Sequence, residues 1–288
     1  MKHIAVIVPA KDEEATIGEL LDRIDGVRVS GCELRPIVVD DGSTDRTAEI
    51  ARERGADVVP HAQNRGVGAA VRTGLRTAVE RGADAVAYLD ADLEYYPEDI
   101  PRLVEPVLAG RANYVLGSRF LDGVRGMKLY RRIGNHAFTL LLVLLTRSRM
   151  TDGQTGMRAF SREAAAMAEI IHDYNYAQVL TLDLLRKGCT FEEVPVRYRL
   201  REHGKSFISW RYPARVLPAI WRESWAPERL TPLSTSQPLS LRTSPAASRK
   251  EYRRPPADLR PQPLDRRLCP FPTSPPRHPA QAARQRPT

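Results

Sequence analysis

Short apolar runs alternate with longer stretches of helical spacing over the first two thirds of the chain. Five runs are predicted to be strands: Ile4–Val8, Pro36–Val39, Asp57–Val59, Ala85–Leu89 and Tyr114–Leu116. Four stretches carry apolar residues at helical spacing: Glu14–Ile24, Thr44–Arg54, Val67–Arg81 and Pro97–Leu108. Strands with little polar alternation, separated by helices, indicate an α/β fold in which helices flank a mostly parallel sheet.

Helical patterns predominate in the stretch that follows Gly126. They predict three helices and a final alternating run: Leu129–Arg147, Arg162–Ile170, Tyr176–Lys187 and Phe191–Tyr198. The first helix begins beside the basic residues Lys128, Arg131 and Arg132 and is leucine-rich toward its end. This pattern is typical of a core helix and also of a helix in a membrane interface, and the residues leave both open. At a membrane, the positions expected to contact lipid are Phe138, Leu141 and Leu145.

The composition changes after Trp225. Fourteen of the last 62 residues are proline, and no apolar period continues there. We therefore expect a folded domain over residues 1–226 and a disordered Pro/Arg-rich tail over residues 227–288. The tail holds 12 Lys and Arg against 4 Asp and Glu, which is +8 of the formal net charge of +9 of the 288-residue chain. Because the remaining residues are nearly neutral, the charge gives no case for nucleic-acid binding.

The spacing of the cysteines and the lengths of the apolar segments indicate the cellular compartment of the protein. Cys32, Cys189 and Cys269 are scattered without a C-x-x-C spacing, which argues against a disulfide framework or a zinc site and favours a reducing compartment. The run Ile4–Val8 is shorter than the core of a signal peptide, and Phe138–Leu145 is far shorter than the roughly 20 residues that cross a bilayer. We expect a cytoplasmic protein whose membrane contact is peripheral, at the cytoplasmic face.

Polar residues follow the predicted strands, which is where ligands bind in a parallel sheet. The second strand runs into the segment Asp40–Thr44, an acidic pair followed by small polar residues. This pattern makes a tight turn that caps the next helix, and it also suits a carboxylate that accepts hydrogen bonds from a nucleotide. Carboxylates recur at the ends of several strands, which favours the nucleotide role.

The fourth strand, Ala85–Leu89, runs directly into a D-A-D-L-E segment. In an extended chain, residues two apart point the same way, so Asp90, Asp92 and Glu94 are expected to converge. Crowded carboxylates repel one another unless a cation neutralises them, and oxygen ligands suit Mg²⁺ or Mn²⁺. We therefore predict a metal–diphosphate site, against the alternative of a solvated acidic loop without a metal.

Seven motifs occur in order along about residues 1–210. They are Val8–Glu14, Val39–Asp45, Asn64–Gly68, Asp90–Glu94, Gly117–Phe120, Asp152–Arg158 and the combination of Glu193–Val196 with Arg201–Phe207. Together they resemble the family 2 glycosyltransferases, and within these the branch of dolichol-phosphate mannose synthases and other polyprenyl-phosphate glycosyltransferases. Three positions depart from the family pattern. Glu94 stands where D-x-D-x-Q usually has Gln, Met157 replaces the Phe of G-F-R, and Phe207 replaces the last Lys of R-x-x-G-x-S-K.

The resemblance implies a GT-A fold, which is Rossmann-like, and roles for individual residues. Those implied to line the nucleotide-sugar site are Pro9, Ala10, Lys11, Glu13, Val39, Asp41, Asp90, Ala91, Asp92, Arg119 and Arg201. Those implied to hold a metal on the donor diphosphate are Asp90, Asp92 and Glu94. Asp92 and Arg119 are implied to be catalytic, and Arg119 and Arg201 to contact the donor diphosphate or the acceptor phosphate.

The reaction that the resemblance implies is metal-dependent transfer of a hexose from GDP-mannose or UDP-glucose to a polyprenyl phosphate, with inversion. Because a phosphate monoester is already ionised near neutral pH, no catalytic base is expected. One alternative is the same fold acting on a hydroxyl of a glycan, glycolipid or small alcohol, against which Asp152–Arg158 and Arg201–Ser206 argue. The other is an idle homologue that binds nucleotide sugars, against which Asp90, Asp92 and Arg119 argue.

Overall fold

The computed structural model describes residues 1–123, 127–171, 173 and 176–200. The strands are β1 (Lys2–Ala10), β2 (Cys32–Asp40), β3 (Asp57–Pro60), β4 (Ala85–Leu89), β5 (Tyr114–Ser118), β6 (Met157–Ser161) and β7 (Phe191–Pro195). The helices are α1 (Ile17–Gly26), α2 (Thr47–Glu53), α3 (Val67–Glu80), α4 (Ile100–Leu108), α5 (Leu129–Thr146), α6 (Arg162–Met167) and α7 (Ala177–Arg186). The predicted tail and Arg201 lie outside the described residues.

The strands form one seven-stranded sheet in the order β3-β2-β1-β4-β6-β5-β7. Strand β6 runs antiparallel to its neighbours β4 and β5, and the other pairs are parallel. The predicted α/β class with a mostly parallel sheet is therefore confirmed. In such a sheet the carboxyl ends of β1, β2, β4, β5 and β7 share one edge, and the antiparallel β6 begins at that edge.

Helices cover both faces of the sheet, because β1 is apolar on both sides. Ile4, Val6 and Val8 pack into one core with α1 and α4, while Ala5 and Ile7 pack into the other with α3, α6 and α7. All five side chains are fully buried. Burying a large aliphatic side chain stabilises a fold by roughly 1.5–3 kcal/mol, so this strand anchors both layers.

Strand β6 is the element that the hydrophobic pattern did not predict. The sequence pattern predicts no strand between the helical stretches Leu129–Arg147 and Arg162–Ile170, but Met157–Ser161 form β6 there. The sequence M-R-A-F-S interrupts its apolar run with an arginine, which removes the usual signal of a buried strand. Arg158 is nevertheless fully buried and donates hydrogen bonds to the carbonyls of Thr155 and Gly153.

Helix α5 turns polar residues inward and apolar residues outward. Its buried residues are Asn135, Thr139 and Leu142. Its exposed apolar side chains are Leu129, Tyr130, Ile133, Leu140, Leu144 and Leu145. Of the three positions that the sequence pattern suggested for lipid contact, Leu145 is exposed, whereas Phe138 and Leu141 are only partly exposed. Phe138 lies one turn before the buried Leu142, on the same face of the helix. No helix in the described ranges combines the length and the apolar character that a bilayer crossing needs.

Candidate active site

The functional loops meet at the carboxyl edge of the sheet. The loop after β1 is tied to the loop after β2, since the backbone N–H of Asp12 donates to Ser43 Oγ at 3.0 Å and that of Thr44 donates to Asp12 Oδ1 at 2.8 Å. The backbone N–H of Glu13 donates to Thr47 Oγ1 at 2.8 Å. Lys11 pairs with Asp12, which itself takes a left-handed backbone conformation. The two loops therefore form one unit.

Several residues implied to line the nucleotide site have buried side chains. Ala10, Val39 and Ala91 are buried, whereas Pro9, Lys11 and Glu13 are partly exposed. A buried alanine or valine at a strand end reaches a ligand only through its main-chain N–H and C=O groups. Among these residues, the partly exposed polar side chains are those of Lys11 and Glu13.

Asp41 lies buried at the end of β2 and both of its carboxylate oxygens bind groups of the chain. Oδ1 accepts from the backbone N–H of Arg65 at 2.9 Å and pairs with Nδ1 of His61 at 2.7 Å. Oδ2 accepts from the backbone N–H of Gly66 at 2.7 Å. These contacts order the loop that precedes α3. The nucleotide role implied for Asp41 stays a prediction.

Gly42 shows why a glycine follows the acidic pair. Its φ of +72° lies in the left-handed region, and a Cβ there would come within 2.7 Å of the backbone of Gln63. A side chain at this position would both strain the turn and push away the loop that Asp41 holds.

The D-A-D-L-E segment after β4 forms a turn and not the extended chain that the sequence argument assumed. Leu93 has a left-handed φ of 59°, and Oδ1 of Asp92 accepts a hydrogen bond from the backbone N–H of Glu94 at 3.0 Å. A short aspartate side chain that accepts from the backbone two residues on favours such a turn. Burial still alternates: Ala91 and Leu93 are buried, while the three carboxylates are partly exposed.

The carboxylates of this turn interact strongly. Burial and the neighbouring charges of Asp92 and Glu94 together raise the pKa of Asp90 to about 7, although the hydroxyl of Tyr88, which donates to Asp90, and the charge of Arg158 oppose the rise. A cation would relieve this crowding. All the donors are oxygen atoms, which suits Mg²⁺ or Mn²⁺. Within the described residues no three carboxylate, histidine or cysteine side chains form a closed metal-binding group, so an ion here needs oxygens from elsewhere.

Gly156 leaves the space that Asp90 occupies. A Cβ at Gly156 would lie 1.9 Å from Oδ2 of Asp90 and 2.9 Å from the ring of Tyr95. The backbone N–H of Gly156 donates to the Tyr95 hydroxyl at 2.7 Å. The loop before β6 therefore packs directly against the acidic turn, and glycine is the residue type that allows it.

Arg119 follows β5 and makes a two-pronged ion pair with Asp152. Its Nε and Nη2 lie 2.7 and 2.9 Å from the two carboxylate oxygens, and its side chain is 10% exposed. The rings of Tyr95 and Tyr198 lie 6.0 and 5.3 Å from its guanidinium carbon. Burial works to lower the pKa of Arg119, but Tyr95 and Asp152 more than offset this, so the pKa lies above its ordinary value.

The segment after β7 fastens the acidic turn. Tyr198 forms an antiparallel bridge with Tyr95. The backbone N–H of Arg199 donates to the carbonyl of Glu94 at 2.9 Å, and its Nε donates to the carbonyl of Leu93 at 2.6 Å. Arg201, which the sequence placed at the phosphates, lies just beyond the described residues.

Sequence reasoning did not single out the aromatic and glycine contacts of the site. Tyr95 and Tyr198 flank Arg119, and Gly156 contacts Asp90, yet each is distant in sequence from the residue that it contacts. The available signals were motif membership for Gly156 and the position of Tyr95 directly after Glu94. Neither identifies a partner on its own.

Comparisons with known proteins agree with the fold and the motifs. The model of glycosyl transferase family 2 matches residues 5–166. A relative in Methanocaldococcus jannaschii, an uncharacterised protein, is 35% identical over 211 residues, covering 71% of this chain and 84% of the relative. The UDP-N-acetylglucosamine–dolichyl-phosphate N-acetylglucosaminyltransferase of Methanococcus voltae is 33% identical over 182 residues, covering 57% of this chain and 71% of that one.

A solved structure has the same fold. Glucosyl-3-phosphoglycerate synthase of Mycobacterium tuberculosis, in complex with Mn²⁺, UDP-glucose and phosphoglyceric acid, superposes with a TM-score of 0.61 at 25% identity, covering 79% of this chain and 81% of the synthase. The fold and the site define this protein as a glycosyltransferase with a GT-A fold. The chain belongs to glycosyl transferase family 2.

Proposed function

We propose that the protein transfers a hexose from a nucleotide sugar to a polyprenyl phosphate at a membrane surface, with the help of a divalent cation. The observation that carries this proposal is that the buried cation Arg119 lies beside the acidic turn Asp90 to Glu94, since its guanidinium carbon is 6.0 Å from the ring of Tyr95, which directly follows Glu94. GDP-mannose and UDP-glucose are the proposed donors.

The acceptor phosphate is proposed to bind between Arg119 and Arg131. Burial and the charge of Glu94 raise the pKa of Tyr198 above its ordinary value, while Arg119 and Arg131 oppose that rise, so both cations lie near the Tyr198 hydroxyl. Arg131 stands in the first turn of α5. A phosphate held there has the helix's exposed apolar side chains next to it for the lipid chain.

The acceptor is a charged phosphate oxygen, so the protein needs to align it more than to deprotonate it. Arg119 and Arg131 orient the acceptor, and Lys11, at the loop after β1, lies on the side proposed for the nucleotide. Asp90 and Asp92, with Glu94, are proposed to hold Mg²⁺ or Mn²⁺, which supplies charge stabilisation for the departing diphosphate. Arg119 adds fixed positive charge at the same edge.

The membrane contact is proposed to run along the outer face of α5. Its exposed apolar residues follow helical spacing, from Leu129 through Ile133 to Leu140 and Leu144. Basic residues stand at both ends of the helix: Lys128, Arg131, Arg132, Arg147 and Arg149. An apolar stripe between basic ends suits an interfacial helix on anionic lipid.

Vesicle flotation tests this contact. The full chain is expected to float with vesicles that contain anionic lipid, and the double variant Leu140→Gln/Leu144→Gln is expected to bind several-fold more weakly. Val67→Gln, at an exposed apolar position of α3, is the control and should leave binding unchanged. Equal flotation of wild type and double variant would remove α5 from the proposal.

A donor screen tests the reaction itself. Purified protein, Mn²⁺ or Mg²⁺, a polyprenyl phosphate in vesicles and a panel of labelled nucleotide sugars are expected to yield one lipid-linked sugar. The matched control is the corresponding polyprenol, which lacks the phosphate and should accept nothing. Transfer to the alcohol, or transfer that survives chelation with EDTA, would contradict the proposal.

A second candidate is transfer to a hydroxyl group of a small phosphorylated acceptor. The similarity to a synthase that was solved with phosphoglyceric acid favours it. Here Arg119 and Arg131 would hold the acceptor's phosphate while a hydroxyl attacks. Adding phosphoglyceric acid to the same screen separates the two, because a water-soluble labelled product would then replace the lipid-linked one.

A further inference from the structure

Asp152 lies at the centre of a buried polar network. Its side chain is not exposed, and besides the two bonds from the Arg119 guanidinium it accepts from the backbone N–H of Arg119 at 3.2 Å and of Gln154 at 3.3 Å. Burial would raise the pKa of Asp152, but Arg119 and the hydrogen bonds of Arg119 and Asn135 outweigh it, so the pKa lies below its ordinary value. Arg119 and Asp152 therefore form a buried, bidentate ion pair in which both groups are charged.

Helix α5 contributes directly to this network. Nδ2 of Asn135 donates to Oδ1 of Asp152 at 2.9 Å, and Oδ1 of Asn135 accepts from the hydroxyl of Thr139 at 3.0 Å. The backbone N–H of Gly153 donates to the same Thr139 hydroxyl oxygen at 3.0 Å. The inward polar residues of the helix are thus the ones that hold the loop carrying Asp152.

Strand β7 holds the same loop from the other side. The carboxylate of Glu193 accepts from the backbone N–H of Thr151 at 2.8 Å and from that of Asp152 at 3.0 Å. The Thr151 hydroxyl also donates to Glu193 at 3.0 Å. Asp152 is consequently held both through its backbone N–H, which donates to Glu193, and through its side chain, which accepts from Arg119 and Asn135.

We propose that Asp152 is a positioning residue for Arg119, and that Asn135 makes the placement of Arg119 depend on helix α5. This rests on the proposed function in so far as Arg119 contacts a phosphate. The Asp152 carboxylate fixes the plane of the Arg119 guanidinium because it binds both Nε and Nη2. Within the part of the chain that the structure describes, Nη1 donates to no residue, which leaves it for a phosphate oxygen.

Steady-state kinetics on polyprenyl phosphate provide the first test. Asp152→Asn is expected to lower kcat/KM about 100-fold and Asn135→Ala about 10-fold, because small displacements of an orienting group have effects of this size. The loss should appear mainly in the acceptor KM, with nucleoside diphosphate binding unchanged within about twofold. Asp183→Asn is the matched control, since Asp183 is also a buried, ion-paired carboxylate but has Lys187 and the backbone N–H of Glu169 as its partners.

A double-mutant cycle separates positioning from general support of the fold. If Asp152 acts through Arg119, Asp152→Asn should cost less than about twofold in an Arg119→Met background. A full 100-fold loss in that background would overturn the proposal, as would a loss of the same size in Asp183→Asn. Where Asp152→Asn does not fold, Asn135→Ala replaces it in the cycle.

Chemical modification tests the geometry without any transfer assay. Phenylglyoxal, which attacks accessible guanidinium groups, is expected to modify Arg119 several-fold faster in Asn135→Ala and Asp152→Asn than in wild type, as followed by mass spectrometry. Unchanged modification would overturn the positioning role. If the wild-type chain transfers sugar to no polyprenyl phosphate while Arg119 becomes reactive as expected, the proposed acceptor is wrong and the positioning of Arg119 stands.

Discussion

The two acidic turns of the edge look alike in sequence and differ in what surrounds them. Asp41, after β2, has both carboxylate oxygens bound by donors from His61 and the loop before α3. Asp90, after β4, has its pKa raised to about 7 by burial and by the charges of its carboxylate neighbours. A carboxylate whose oxygens are occupied supports structure, whereas one crowded by like charges is suited to a cation. Asp41 and Asp90 therefore differ in the number of hydrogen-bond donors that contact their carboxylates.

The largest effect is expected from Asp92→Asn. Transfer should fall by at least about 100-fold, because the proposed cation loses a charged ligand, while the melting temperature should stay level or rise as repulsion with Asp90 disappears. Activity assays and thermal unfolding measure the two. Asp22→Asn, which removes an exposed carboxylate paired with Arg54, is the control and should leave both unchanged. Near-normal transfer by the variant would refute the metal role.

Gly156→Ala should have the next largest effect. The added methyl group occupies the position of the Asp90 carboxylate, so Mn²⁺ affinity measured by calorimetry is expected to fall at least about tenfold, with a lower melting temperature. Gly26→Ala is the matched control because nothing lies within 4 Å of the added group. Unchanged Mn²⁺ affinity in Gly156→Ala would show that Asp90 is not a ligand.

Asp41→Asn tests the structural side of the comparison. One amide oxygen and one NH₂ group cannot satisfy the two backbone N–H groups and His61 together, so the free energy of unfolding should fall by about 2 kcal/mol. Urea unfolding measures this. Asp57→Asn, at an exposed pair with Arg81, should cost less than about 1 kcal/mol. A variant as stable as wild type would mean that the Asp41 contacts contribute little.

The smallest expected effect is on pH dependence. Because the pKa of Asp90 is raised in the folded state, the folded protein binds more protons than the unfolded chain between about pH 4 and pH 7. Without a divalent cation, stability should therefore decrease as pH rises through this window. Thermal unfolding after EDTA treatment measures it, and Asp90→Asn should have a flatter profile. An identical slope in that variant would assign the effect to another group.

Much of the fold was predictable because five of its seven strands contain a short continuous apolar run. The boundaries of β4 agree with the prediction. Strands β1 and β2 begin two and four residues earlier than predicted, and β7 ends at Pro195, three residues before the end of the predicted run. Strand β6 was missed because Arg158 interrupts its pattern, although the chain satisfies that buried guanidinium with carbonyl and hydroxyl groups. The hydrophobic pattern contains the charge of Arg158 but gives no information about the hydrogen-bond acceptors that surround it in the fold.

The candidate site was predictable as a set of residues and not as a set of contacts. Asp90, Asp92 and Arg119 follow strands, which is enough to place them at one edge. The partner of Arg119 lies 33 residues away at Asp152, and the backbone donors to Asp41 lie 24 and 25 residues away, so no local pattern identifies them. The extended-chain argument for the acidic segment was wrong about the backbone, since Leu93 turns the chain.

The inward polar face of α5 has a consequence for local stability. With Asn135, Thr139 and Leu142 as its buried residues, the helix has little apolar area holding it to the domain. Elements with few buried contacts open first in native-state hydrogen exchange. The amides of α5 should accordingly exchange faster than those of α3, where nine residues are buried, and adsorption of the helix to lipid should slow them.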